Sequence, residues 1–123
     1  MAKIVCKLLG IVLLIVGLLG FTHILDALGA HVGPAYATHN LVHIVSGILA
    51  LYFGFAGSFS SAKGFCLVFG IVYTALGILG FALGHPPDHM WIVGPLTLGT
   101  ADHAIHLLLG VVFLAGGLFS KKP

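Results

Sequence analysis

Four apolar segments, each close to the length of a membrane span, constrain this chain more than any other feature of its sequence. They run over about Ile4–Leu28, His39–Gly57, Gly64–Leu83 and Asp102–Phe119. A helix needs about 20 mostly apolar residues to cross a bilayer, and backbone in lipid must satisfy its own hydrogen bonds. We therefore predict an all-α integral membrane protein built as a four-transmembrane-helix bundle, a single domain over residues 1–123.

The composition excludes an ordinary soluble domain. The chain is 59% hydrophobic and 7% charged, whereas soluble domains average roughly 25% charged residues. No basic stripe interleaved with aromatic residues is present, so nucleic-acid binding has no support. Two cysteines cannot build a disulfide framework, and we expect Cys6 and Cys66 to pack as small apolar residues.

Charge indicates the orientation of the spans. When four spans are threaded through a bilayer, all the lysines fall on one side, whereas the three acids and eight histidines gather near the other. The lysines are Lys3, Lys7, Lys63, Lys121 and Lys122, and the acids are Asp26, Asp88 and Asp102. The positive-inside rule then places both termini in the cytoplasm.

An internal repeat relates the two halves of the chain. Residues 2–21 align without gaps to residues 62–81, with ten identities in twenty positions. The second spans align less strongly, with His43 opposite His106 and Gly47 opposite Gly110. We predict two parallel-repeat helical hairpins, over about 1–60 and 61–123. The first span also looks like a signal peptide, but its counterpart in the second half argues against that reading.

The glycine pattern predicts which side chains face the interior. Helix contacts in bilayers favour small residues because these let backbones approach closely. His43 precedes Gly47 by four residues, and His106 precedes Gly110 by four. Residues four apart share a helix face, so both histidines are predicted to project into the bundle and away from lipid.

These histidines make a transition-metal site the first hypothesis. Imidazole suits zinc and copper, and a ligating histidine usually donates its other N–H to an oxygen. Asn40 and Asp26 are the residues predicted to support the ligands. The candidate ligands are His39, His43, Asp102, His103 and His106, with help from His23.

A tetrapyrrole is the second hypothesis. His43 and His106 at matched depth are predicted to ligate haem on both axial sides, or one of them a chlorophyll. Haem b needs no covalent attachment motif. Proton or metal-ion transport is a weaker alternative, because intramembrane ionisable groups are functional candidates but here they gather at one end. A purely structural or assembly protein without ligand also stays open, and no catalytic triad or nucleophile supports an enzyme.

Two short motifs carry a family resemblance. Asn40, His43 and Gly47 head the second span, while Asp102, His106 and Gly110 head the fourth. With four spans, these motifs resemble the uncharacterised bacterial membrane family called domain of unknown function 4383. The resemblance implies a four-helix membrane protein and directs attention to Asn40, His43, Asp102 and His106, but it implies no activity.

Taken together, these features predict a small, non-enzymatic protein of the bacterial inner (cytoplasmic) membrane. The expected partners are the lipid bilayer and either other membrane proteins or further copies of this chain. An accessory subunit of a larger membrane complex, most simply an electron-transfer complex, is the expected role.

Overall fold

The computed structural model describes residues 1–25 and 33–121, and four α-helices dominate this part of the chain. They are α1 (Ala2–Leu19), α2 (Ala37–Phe55), α3 (Phe59–Leu83) and α4 (Thr100–Leu118). Each helix is long and apolar enough to cross a membrane. The predicted all-α, four-span membrane fold is therefore confirmed.

The first helix is shorter than predicted. Our sequence boundary was near Leu28, but α1 ends at Leu19 and a turn follows at Gly20. The Thr22 hydroxyl donates a hydrogen bond of 2.6 Å to the Leu19 carbonyl, and the Thr22 amide donates to the same oxygen at 2.9 Å. A threonine that satisfies the final carbonyls in this way competes with helix continuation, so the helix stops although the sequence stays largely apolar.

The third helix begins earlier than predicted. Residues 58–63 were expected to be a loop, but Phe59 already starts α3. The Ser58 hydroxyl accepts a hydrogen bond of 3.1 Å from the Ser61 amide, which is an N-cap contact of the kind that stabilises helix starts. Lys63 thus lies within the helix.

The connection before α4 contains a short β-sheet that the sequence pattern does not predict. A short antiparallel pair forms there from β1 (Trp91–Val93) and β2 (Leu96–Leu98). Gly94, with φ of 57°, and Pro95 form the two-residue turn between the strands, and glycine adopts that left-handed conformation at little cost. We call residues 84–99 the hairpin segment.

Both chain ends and the α2–α3 turn meet at one end of the bundle. The Ala2 amide donates to the Ser120 hydroxyl at 3.1 Å, which joins the start of α1 to the end of α4. The Lys63 ammonium group donates to the carbonyls of Gly117 and Ser120, at 2.6 and 3.1 Å. We call this the lysine end, and the opposite end, which carries the hairpin segment, the histidine end.

Glycines allow close backbone contact within each helical hairpin. A Cβ atom placed on Gly47 of α2 would lie 2.7 Å from the Leu14 amide nitrogen and 2.9 Å from the Gly10 carbonyl of α1. Such distances leave no room for a side chain. The corresponding contact between α3 and α4 is that of Gly110 with Thr74, where a Cβ would lie 2.5 Å from the Thr74 amide nitrogen.

The glycine contacts recur at repeat-equivalent positions. In the first hairpin Gly10 faces Leu51, Gly17 faces Ile44 and Gly47 faces Leu14; in the second, Gly70 faces Leu114, Gly77 faces Leu107 and Gly110 faces Thr74. Each second-hairpin pair follows from the first by the offsets of the sequence alignment. This recurrence supports the internal repeat, although the duplication itself stays a prediction.

An aromatic core formed by α3 and α4 lies within the buried core of the bundle. Phe113 is fully buried and stacks on Tyr73, with ring centroids 6.1 Å apart and an interplanar angle of 10°. Phe65 contacts Phe113 and Phe69, at centroid distances of 5.8 and 4.1 Å. Buried thiols of Cys6 and Cys66 join the same core. The core thus separates the lysine end from the histidine end with apolar side chains.

We predict that Gly47→Val destabilises the bundle by about 1–3 kcal/mol, the usual cost of overpacking, because the new side chain meets the α1 backbone. Unfolding of detergent-solubilised protein in sodium dodecyl sulfate, followed by circular dichroism, measures this loss. Gly64→Ala is the matched control, since a Cβ there meets nothing within 4 Å. Equal stability of Gly47→Val and Gly64→Ala would contradict the proposed close packing.

Candidate metal centre

Three buried imidazoles converge near the histidine end of the bundle. His39 and His43 lie one turn apart on α2, and His106 lies on α4. One ring nitrogen from each residue lies within 4.8 Å of the other two. Their side chains are only 3–4% exposed. We call His39, His43 and His106 the imidazole cluster.

The rings of the cluster meet edge to face. The centroids of His39 and His43 are 4.4 Å apart at an interplanar angle of 64°, and those of His39 and His106 are 5.8 Å apart at 62°. Nitrogens that bind one tetrahedral ion through bonds of about 2.0–2.1 Å lie roughly 3.4 Å from one another. Side-chain rotations that move each ring by about 1 Å would therefore bring the three nitrogens onto one ion.

Several nitrogens of the cluster have no partner among the described residues. Both ring nitrogens of His43 and Nδ1 of His106 are buried and make no hydrogen bond within the described part of the chain. A buried polar atom that lacks a partner costs about 1–3 kcal/mol, and such atoms are rare in folded proteins. Unpartnered nitrogens of three converging rings are therefore candidate ligands for an ion or a water.

Asp102 supplies negative charge beside the cluster. It is 2% exposed, and one carboxylate oxygen accepts a hydrogen bond of 2.8 Å from the Gly99 amide at the start of α4. A carboxylate in the first turn is also favoured by the helix dipole. Asp102 lies close enough to His43 and His106 to interact with both electrostatically. The negative charge can therefore offset a cation held by the imidazoles.

His103, another predicted ligand, contacts the hairpin segment. Its side chain is fully buried, and Nε2 donates a hydrogen bond of 2.8 Å to the His89 carbonyl. The ring packs against Phe81, at a centroid distance of 5.2 Å, and fills the space beside Gly80. Among the described residues, His103 thus anchors the hairpin segment to α4 and is not one of the three that converge.

Asn40 makes the equivalent contact in the first half of the chain. It is fully buried, and its amide group donates a hydrogen bond of 3.1 Å to the Gly33 carbonyl. Because Asn40 aligns with His103 in the repeat, both residues tie the backbone that precedes their helix to the helix itself. The sequence predicts that Asn40 supports a metal ligand and that His103 is one, so this anchoring role is not among the predictions. The alignment of Asn40 with His103 in the repeat is the signal that could have suggested it.

Among the described residues, neither the predicted ligand His23 nor the histidines of the hairpin segment belong to the cluster. His23 is exposed and follows the end of α1, while Asp26 and His31 lie outside the described residues. His85 and His89 are exposed in the hairpin segment, where the His89 ring lies 3.2 Å from the Thr100 hydroxyl. Met90 in the same segment is 41% exposed.

Tyr73 is a neighbour of the cluster that the sequence reading missed. Its ring on α3 lies 5.5 Å from that of His106, and its side chain is 4% exposed. Its buried hydroxyl makes no hydrogen bond within the described part of the chain. No pattern in the α3 sequence marks Tyr73, since it stands among apolar residues of a span.

The position of His39 distinguishes between the two predicted ligand classes. A haem held between His43 and His106 needs space beside both rings for a planar macrocycle. The His39 ring lies in that region, in contact with His43 and 5.8 Å from His106. The arrangement therefore favours a single ion over a tetrapyrrole.

The fold and the cluster define a small four-helix membrane protein with a buried set of imidazoles at one end. The chain belongs to the family described as Domain of unknown function (DUF4383), whose model matches residues 3–119. The family resemblance drawn from the sequence is thus confirmed. No curated protein and no solved structure shows significant similarity to the chain.

We predict that His103→Ala loosens the hairpin segment and leaves metal binding by the cluster largely unchanged, because the ring holds the His89 carbonyl. Hydrogen exchange read by mass spectrometry should show faster exchange over residues 84–99. Phe81→Leu, which keeps the hydrogen bond, is the matched control. Loss of metal from His103→Ala to the level of His106→Ala would show instead that His103 is a ligand.

Proposed function

We propose that the imidazole cluster binds one transition-metal ion and that the protein serves as a small, non-enzymatic metal-binding subunit of the membrane. The observation that carries this proposal is the convergence of three buried histidines whose ring nitrogens lie within 4.8 Å of one another. The nitrogens of His43 and His106 that lack partners within the described chain give the ion its ligands. Three protein ligands leave a fourth position open, as in many zinc sites with an exchangeable ligand.

Charge favours copper in its monovalent state over zinc. Neutral imidazoles add no charge, and burying a net charge in an apolar surrounding is costly. A monovalent cation beside the Asp102 carboxylate gives a neutral centre, whereas a divalent cation leaves one positive charge uncompensated. Imidazole suits both copper and zinc, so the charge balance is the feature that separates them.

The outer surface of the bundle is consistent with a lipid environment and with partners inside it. Large apolar side chains are exposed along every helix, for example Leu8, Val45, Ile71 and Val111 at 54–61% exposure. Lipid covers such faces, and a partner protein in the membrane packs against them equally well. We propose that the protein is an accessory subunit of a larger membrane complex with an electron-transfer role.

The proposed location follows from the charges at the two ends. Lysines collect at the lysine end, which the positive-inside rule places in the cytoplasm. The cluster then lies in the outer half of a bacterial inner membrane. An ion bound there is exchanged with the outer compartment or with a partner that faces it.

The test is the metal content of the protein purified from its native membrane in mild detergent. With both cysteines changed to serine, so that thiols do not contribute, we predict about one copper or zinc ion per chain by plasma mass spectrometry. The content should be at least tenfold lower when His43→Ala or His106→Ala is added, since loss of a ligand exceeds the 10–100-fold effects of outer supporting residues. His85→Ala is the matched control, because His85 is exposed and outside the cluster. Circular dichroism confirms that each variant remains folded.

Three results would contradict the proposal. Equal metal content in His43→Ala, His106→Ala and His85→Ala would remove the cluster as the binding site. A strong visible absorption band that disappears in His43→Ala would identify a tetrapyrrole as the ligand. An absence of metal from the wild-type protein, even after incubation with Cu(I) and Zn²⁺, would support the alternative of a structural or assembly protein without a ligand.

A further inference from the structure

A pair of thiols lies where the buried core borders the lysine end, away from the imidazole cluster. Cys6 on α1 and Cys66 on α3 are both fully buried, and their sulfur atoms are 3.6 Å apart. One thiol comes from each helical hairpin. The two therefore meet at the interface between the hairpins.

Each thiol also contacts the backbone of the opposite hairpin. Cys6 Sγ lies 3.8 Å from the Ala62 carbonyl, and Cys66 Sγ lies 3.6 Å from the Ala2 carbonyl. Ala2 and Ala62 are fully buried, and their small side chains let the helices approach closely enough for the sulfurs to touch. The reciprocal contacts direct the two sulfur atoms at each other.

We propose that Cys6 and Cys66 form a second metal site, which binds a soft monovalent ion such as Cu(I). Thiolates select soft ions such as Cu(I) and also bind Zn²⁺. Zinc in structural sites takes four protein ligands, and among the described residues no third histidine, cysteine or acid joins the cysteines in a metal-binding group. Two sulfur ligands alone match an ion that accepts low coordination.

The sulfur separation suits such an ion. In the structure the two sulfurs are 3.6 Å apart. An ion that binds both at about 2.3 Å fits this separation with a bent S–metal–S angle. A linear arrangement needs the sulfurs to be about 4.6 Å apart. Binding therefore requires the α1 and α3 helices to separate by at most about 1 Å at this point. Ala2 and Ala62, whose side chains are small, lie beside the two sulfurs, at the point where α1 and α3 would separate.

The charge balance of binding is also met locally. Two thiols release two protons and one monovalent cation enters, so the site changes from neutral to one negative charge. Lys63, one turn before Cys66 on α3, places its ammonium group at the same end of the bundle, where it donates to the Gly117 and Ser120 carbonyls. This positive charge offsets part of the negative charge of the dithiolate.

The test uses the full-length protein, expressed with added copper and purified without oxygen. Cu(I) affinity is measured by competition with a colorimetric Cu(I) chelator in the His43→Ala background, where the imidazole cluster is disabled. We expect one tightly bound Cu(I) per chain in that background, and at least 100-fold weaker binding after Cys6→Ser or Cys66→Ser. Serine is nearly isosteric with cysteine, and circular dichroism confirms the fold.

The opposing outcomes are distinct from those of the imidazole proposal. Equal Cu(I) affinity with and without the thiols would overturn the second site and leave the imidazole cluster untouched. An intact mass lower by two hydrogens in the protein as isolated would show a disulfide and would also overturn it. Absence of bound Cu(I) from His43→Ala, together with full Cu(I) content in the single variants Cys6→Ser and Cys66→Ser, would overturn the thiol site and support the imidazole cluster alone.

Discussion

Close backbone contact at glycines is the constraint on which the rest of this structure depends. Moving an apolar side chain from lipid into a helix interface gains little free energy, because both surroundings are apolar. Helices in a bilayer therefore associate through van der Waals packing and polar contacts. Gly47 and Gly110 place α2 against the α1 backbone and α4 against the α3 backbone. Once each helical hairpin is closed in this way, the histidines one turn before these glycines, His43 and His106, project into the interior of the bundle.

The interior position makes the imidazoles costly unless something binds them. His43 contacts His39, and His106 contacts Tyr73. Both histidines are buried, so water does not satisfy their ring nitrogens. A bound cation would satisfy several nitrogens at once, and the Asp102 carboxylate would reduce the charge that must be buried.

Much of this could be predicted from the sequence because it depends on local pattern. Apolar length gave the four spans, and the spacing of His43 from Gly47 gave the face on which the imidazole lies. What could not be predicted depends on contacts distant in sequence or on a single side chain. The Thr22 hydroxyl donates to the Leu19 carbonyl, and α1 ends there although the apolar segment continues. The spacing of His103 in the sequence predicts a metal ligand, but its ring donates to the His89 carbonyl. The proximity of Tyr73 to His106 follows only from the packing of α3 on α4.

The most direct test of a metal bound by three imidazoles is X-ray absorption spectroscopy of the metal-loaded protein. The measurement is best made with both cysteines changed to serine, so that only the imidazole cluster contributes. The structure predicts a shell of about three nitrogen neighbours at about 2.0–2.1 Å with the multiple scattering of imidazole rings. A shell of oxygen neighbours without imidazole scattering would contradict the account.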